Sequence, residues 1–151
     1  MALGEYKLGF SWIGFLAFII PMIPNIIWAI LPSVENGITD MKAPYPWIDQ
    51  VMQICRTMMI ICLILLIHQK GVIKSGLRPL SILVIGCLVT YFMAWAFYFS
   101  GRISPLTILS LAVFPCMYFM GVAIILRNIP ALIFSVIFAI CHIGVTIEYI
   151  M

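Results

Sequence analysis

The chain has 151 residues, of which 65% are hydrophobic and only 9% charged. This balance excludes a soluble globular domain, which is about half apolar and about a quarter charged. The formal net charge of +3 comes from scattered residues and excludes nucleic acid as a partner, because that requires a concentrated basic patch. The composition therefore predicts an integral membrane protein whose main surroundings are lipid.

Five long apolar stretches predict an all-α bundle of five transmembrane helices in a single domain. Pro79, Pro105 and Pro130 each come near the start of a stretch, where the missing N–H of proline is harmless to a helix. No alternating pattern predicts a strand. The expected spans are residues 9–31, 48–67, 79–99, 105–126 and 129–150.

The basic residues predict which way the bundle crosses the membrane. Two of them, Lys42 and Arg102, fall at one end, and the larger group falls at the other. Under the positive-inside rule the larger group marks the cytoplasmic end. We therefore expect a multi-pass protein of the cell membrane with its N-terminus in the cytoplasm and its C-terminus outside. The larger group consists of Lys7, Lys70, Lys74, Arg78 and Arg127.

The longest connector, residues 32–47, is expected outside the membrane and ends in Pro44-Tyr45-Pro46-Trp47. One interpretation is that this segment is extended and places its aromatic rings at the headgroup level, where Trp and Tyr are enriched. The other is that it forms a lid over a cavity. Asp49, which follows it, is expected to cap the N-terminus of the second helix.

Polar and amphipathic side chains occur at similar depths in all five spans. With a rise of about 1.5 Å per residue, the deepest lie roughly 10 to 13 Å below the expected outer surface. Polar groups inside spans normally face the bundle interior, so this layer predicts a ligand cavity in the outer half. Hydrogen bonding that only joins the helices is the alternative. The candidate ligand-binding residues are Asn25, Trp28, Trp47, Gln53, Arg56, Tyr91, Trp95, Ser110, His142 and Glu148.

Three classes of function fit these residues. The first is a binding or transport protein for a small amphipathic or apolar molecule. The second is a membrane-embedded isomerase or lipid-modifying enzyme that uses His142 and Glu148 as acid and base. The third is an accessory subunit of a membrane complex. Arg56 and Glu148 are also expected to form an ion pair across the bundle.

Motifs for other chemistry are missing from the sequence. It contains no P-loop, no H-E-x-x-H and no G-x-S-x-G, and its five cysteines form no C-x-x-C pair. We therefore expect no cofactor and no metal site, and we interpret the cysteines as small apolar residues.

A few residues connect the chain to a known family. Lys42, Pro44 and Trp47 in the first connector, and Trp95 before Gly101, resemble the pattern of the translocator proteins, also called tryptophan-rich sensory proteins. The chain departs from that pattern in the order of its Pro and Trp residues in the connector and in lacking the Pro-Tyr and Trp of the family's fifth span. The resemblance implies a five-helix bundle that binds porphyrins, sterols or other flat apolar ligands beneath the first connector, often as a homodimer.

Overall fold

A computed structural model describes residues 2–30, 43–73 and 78–151. Within these residues, five helices are long and apolar enough to cross a membrane. The protein is therefore an all-α, membrane-embedded bundle, as the composition predicted. The helices are α1 (Trp12–Ile30), α2 (Pro46–Leu65), α3 (Arg78–Phe99), α4 (Pro105–Ile125) and α5 (Ile129–Ile150).

The five helices form a closed ring. Neighbours around it are α3 and α4, then α4 and α5, then α5 and α2, and α1 completes the ring by contacting α2 and α3. The deepest burial is in α4, half of whose membrane-spanning window is buried. An apolar cluster that includes Leu63, Val84 and Ala123 fills the end of the bundle near the N-terminus. A second, aromatic cluster around Trp95 and Tyr98 lies nearer the other end.

Two buried prolines shape α1. Pro21 has no N–H to donate to the carbonyl of Ala17, four residues earlier. The hydroxyl of Tyr118 on α4 donates to that carbonyl instead, at 3.0 Å. Helix α1 is thus hydrogen-bonded to a neighbour, which is how membrane proteins satisfy backbone groups that proline leaves free.

A short sheet that the sequence did not predict ties the N-terminus to the bundle. Strand β1 (Tyr6–Leu8) pairs antiparallel with β2 (Leu66–His68), directly after α2. The hydroxyl of Tyr6 donates to the Arg127 carbonyl at 3.0 Å. The buried amide of Asn128 donates to the carbonyls of Cys62 and Leu66 at 2.7 and 3.1 Å and also caps α5. We call this group of contacts the terminal clasp.

The helix bounds correct several expectations. The first span begins at Trp12 and not at residue 9, because Gly9 and Ser11 donate their backbone N–H groups to carbonyls at the end of α2. The second begins at Pro46 and ends at Leu65, so Pro46 and Trp47 are helical and not extended. Asp49 lies in the first turn of α2 and is not its N-cap; Tyr45 holds the N-cap position, but its side chain makes no capping hydrogen bond. Most of the expected connector, including Lys42, lies outside the described residues.

Candidate functional site

A cavity of about 270 Å³ lies inside the bundle and is lined by all five helices. We call it the bundle cavity. Most of its wall comes from the C-terminal halves of α1, α3 and α5, the N-terminal half of α4 and the middle of α2. The cavity therefore extends from the centre of the bundle toward the end away from the clasp, the half in which the sequence predicted a polar layer.

Six of the ten candidate residues line the bundle cavity together. Each comes from one of four helices, and each faces the same space although the residues lie far apart in the sequence. Their convergence follows from equal depth combined with an interior helical phase. The six residues are Asn25, Trp28, Arg56, Tyr91, Trp95 and His142.

The polar groups on the α1–α3 side are mostly engaged with each other. The amide nitrogen of Asn25 donates to the Tyr91 hydroxyl at 2.7 Å and to the Pro21 carbonyl at 3.1 Å. The indole nitrogens of Trp28 and Trp95 are both buried without a hydrogen bond of good geometry, although the Trp95 N–H interacts with the Tyr91 hydroxyl. The two indole rings lie 6.4 Å apart. The two indole N–H groups are thus covered by protein atoms and do not face the cavity space.

Arg56 lies where the cavity meets a groove between α2 and α5. Three residues, Arg56, Phe138 and His142, line both the cavity and the groove. The rings of Phe138 and His142 are stacked, with centroids 5.0 Å apart and planes 18° from parallel. A guanidinium nitrogen of Arg56 donates to the side-chain oxygen of Gln53, which lines the groove only. The cavity therefore opens between α2 and α5.

Apart from Thr146, whose hydroxyl donates to the His142 carbonyl, the rest of the cavity wall is apolar, and these residues were not predicted from the sequence. The helical spacing of these residues could have indicated some of them: Phe18, Met22 and Asn25 follow one face of α1, and Phe138 comes four residues before His142 on α5. Pro115 has no N–H for the Leu111 carbonyl, which loosens α4 at the cavity. The apolar wall consists of Phe18, Met22, Met59, Ile60, Ile108, Leu111, Ala112, Pro115, Phe119 and Phe138.

Three candidate residues lie elsewhere. Trp47 is 59% exposed, stacks against Tyr45 at the start of α2 and does not line the bundle cavity. Ser110 faces a separate groove between α3 and α4, because it is turned by about 100° from Leu111 on the helix. Glu148 is exposed and lines neither the cavity nor the groove beside it.

The expected ion pair between Arg56 and Glu148 is not formed. Among the described residues, the ion pair is His68 with Glu5, at 3.6 Å in the terminal clasp. Glu148 follows His142 by six residues, which turns it about 120° away around α5. His142 and Glu148, the acid and base of the proposed enzyme, are therefore also turned about 120° from each other around α5.

The five cysteines are free thiols, and four of them are buried. Within the part of the chain that the structure describes, no three His, Cys, Asp or Glu side chains come together as a metal site would require. The wall of the cavity presents aromatic, apolar and hydrogen-bonding groups.

The fold and the cavity together define an integral, multi-pass membrane protein with an internal cavity. No protein-family model, curated protein or solved structure matches the chain.

Proposed function

We propose that the protein binds or transports a small amphipathic or apolar molecule in the bundle cavity. The observation that carries this proposal is the cavity itself: about 270 Å³ of space, mostly apolar walls and a few polar side chains on opposite sides. Sites for small molecules have this makeup, with volumes from about 300 Å³ upward. The ligand is therefore compact.

The opening between α2 and α5 supports a ligand that comes from the membrane. A cavity enclosed by transmembrane helices and open between two of them can exchange a molecule dissolved in lipid without a large rearrangement. Under the proposed orientation, with the N-terminus in the cytoplasm, the cavity lies in the outer half of the membrane. The proposal also agrees with what the resemblance to translocator proteins implies, and kinship with that family is itself a proposal.

The tryptophans supply a built-in reporter for a binding test. The chain has four, of which Trp12 and Trp47 are 69% and 59% exposed, whereas Trp28 and Trp95 line the cavity. Replacing Trp12 and Trp47 by Phe leaves only the two cavity tryptophans as fluorescent donors. Anthracene accepts energy from tryptophan and is compact and apolar. We would titrate it into this variant in phosphatidylcholine nanodiscs.

The expected result is energy transfer with a saturable part above the linear part that anthracene dissolved in lipid produces. Adding Ala112→Phe should remove the saturable part, because Ala112 lines the cavity and a phenyl ring would fill it. Ala96→Phe is the matched control, since Ala96 is exposed on α3 and does not line the cavity. Transfer that stays linear in all three proteins would reject the proposed function.

A further inference from the structure

Besides the two indoles, five polar side chains line the bundle cavity: Asn25, Arg56, Tyr91, His142 and Thr146. The indole N–H groups of Trp28 and Trp95 are buried against protein atoms and do not face the cavity space. The hydroxyl of Tyr91 accepts from Asn25, which leaves its own hydrogen free to be donated. Tyr91 and Arg56 are therefore donors that acceptor atoms of a ligand can reach.

Arg56 adds a positive charge that no acidic residue in the wall balances. Among the residues that the structure describes, no Asp or Glu lines the cavity. The hydrogen-bond partner of Arg56 is the neutral amide of Gln53, and within the described residues no carboxylate lies within 4.0 Å of its guanidinium group. The nearest acidic group in the groove is Asp49, about 10 Å away along α2 by helical rise. Arginine inside a span is normally paired.

The position of Arg56 determines how an amphiphile would lie. Arg56 and His142 are in the opening between α2 and α5. The apolar residues Met59 and Phe119 line the deeper part of the wall, where the cavity borders the buried apolar cluster. A molecule with one charged end would therefore place that end in the opening and its apolar body in the cavity.

We propose that the ligand of the bundle cavity is an anionic amphiphile whose carboxylate, or a group of the same acceptor chemistry, binds Arg56 in the opening between α2 and α5. This inference rests on the proposed function. A planar guanidinium suits such a group because it can donate two parallel hydrogen bonds. The same donors disfavour a cationic amphiphile, which would bring a second positive charge beside Arg56.

Three probes with one apolar body test the inference: anthracene carboxylate, anthracene carboxamide and aminomethyl anthracene. They would be titrated into the variant that retains only Trp28 and Trp95, in phosphatidylcholine nanodiscs. The saturable part of the energy transfer should give an affinity for the carboxylate about 10-fold or more above that of the carboxamide, as expected for a charge-assisted bond. The cationic probe should show no saturable part. This comparison needs no substitution at Arg56.

Substitutions then assign the preference to one residue. Arg56→Gln should make the carboxylate and the carboxamide bind equally, and Arg56→Lys should restore part of the preference. Arg102→Gln is the matched control, because Arg102 is exposed at the same end of the bundle and lines a different groove. It should leave the preference unchanged.

The outcomes separate this inference from the proposed function. If all three probes bind with equal affinity, or if Arg56→Gln keeps the carboxylate preference, the anionic ligand is rejected and the binding function stands. If none of the probes binds saturably, the proposed function itself is rejected. Repeating the titration with phosphatidylglycerol in the nanodiscs identifies the source of the anion. Competition that depends on Arg56 would assign the site to a lipid headgroup, and no competition would assign it to a free carboxylate.

Discussion

The side-chain amide of Asn25 donates a hydrogen bond of 2.7 Å to the hydroxyl of Tyr91, joining α1 to α3 in the wall of the bundle cavity. The bond matters for the fold because α1 contacts its neighbours less extensively than the other helices do. It also determines the chemistry of the cavity, since it occupies the Tyr91 oxygen and leaves the hydroxyl hydrogen for a ligand.

A double-mutant cycle should detect this bond. Hydrogen bonds between transmembrane helices contribute about 0.6 kcal/mol on average and up to about 1.7 kcal/mol. Asn25→Leu and Tyr91→Phe should each lower the free energy of unfolding, and the double variant should lose less than their sum by about that amount. Unfolding would be followed in mixed micelles with increasing SDS. Strictly additive losses would show that the two side chains are not coupled.

The close contact between α1 and α2 should make the stability of the bundle sensitive to added side-chain volume at Gly14. A Cβ atom at Gly14 would lie only 1.9 Å from the Leu63 carbonyl oxygen, which belongs to the backbone of α2 and cannot move aside freely. Gly14→Ala should therefore lower the free energy of unfolding by about 1–3 kcal/mol, the usual effect of overpacking.

Gly144→Ala is the control for this substitution. Gly144 is also helical, but nothing lies within 4 Å of the position that its Cβ would take. That variant should be neutral or more stable by up to about 1 kcal/mol, because alanine favours a helix over glycine. Equal losses of stability in the two variants would contradict the close approach of α1 and α2.

Asn128 should contribute more to stability than an ordinary helix cap. It is only 1% exposed, and its amide joins the start of α5 to two carbonyls at the end of α2. Asn128→Ala should lower the free energy of unfolding by about 2 kcal/mol or more, because the two carbonyls lose their hydrogen-bond donor and α5 also loses its N-terminal cap. Ser104, which caps α4 alone, is the control, and Ser104→Ala should lose about 1 kcal/mol. Similar losses would mean that the clasp does not stabilise the bundle.

The orientation of the bundle remains a prediction from its charges. The structure places Lys70 and Ser100 at opposite ends, in the turns after β2 and α3. In a cysteine-free background, Lys70→Cys should react with an impermeant thiol reagent only from the cytoplasmic side, and Ser100→Cys should react from outside. The reverse pattern of labelling would place the cavity in the cytoplasmic half of the membrane.

Depth and helical phase were enough to predict six side chains of the cavity from the sequence. Asn25, Tyr91 and His142 could be brought together because a helix fixes both quantities for every residue within it. Depth alone was misleading for Ser110, which lies near the level of the cavity but on another face of α4. Glu148 lies nearer the surface and on another face of α5. The polar face of a single helix can be predicted from its sequence. Which helices become neighbours cannot, because that depends on how their side chains pack.

The terminal clasp could not be predicted in the same way. Its strands have three residues each, too few to show an alternating pattern. They pair Tyr6 with His68, and this long-range pairing leaves no periodic signal in either segment. The cap at Asn128 was not predicted either, although the sequence carried a signal for it, because Asn comes two residues before Pro130 at the start of an apolar run.

Photolabelling tests most directly whether the bundle cavity holds a ligand. A compact aryl diazirine would be added to the protein in nanodiscs and activated by light, with and without an excess of the same compound lacking the diazirine, and the labelled residues would be mapped by mass spectrometry. We expect protected labelling at Met59, Leu111 and Phe119 in the cavity wall. Labelling confined to the exposed residues Ile82, Leu106 and Ile140, and equal with and without the competitor, would contradict a ligand site inside the bundle.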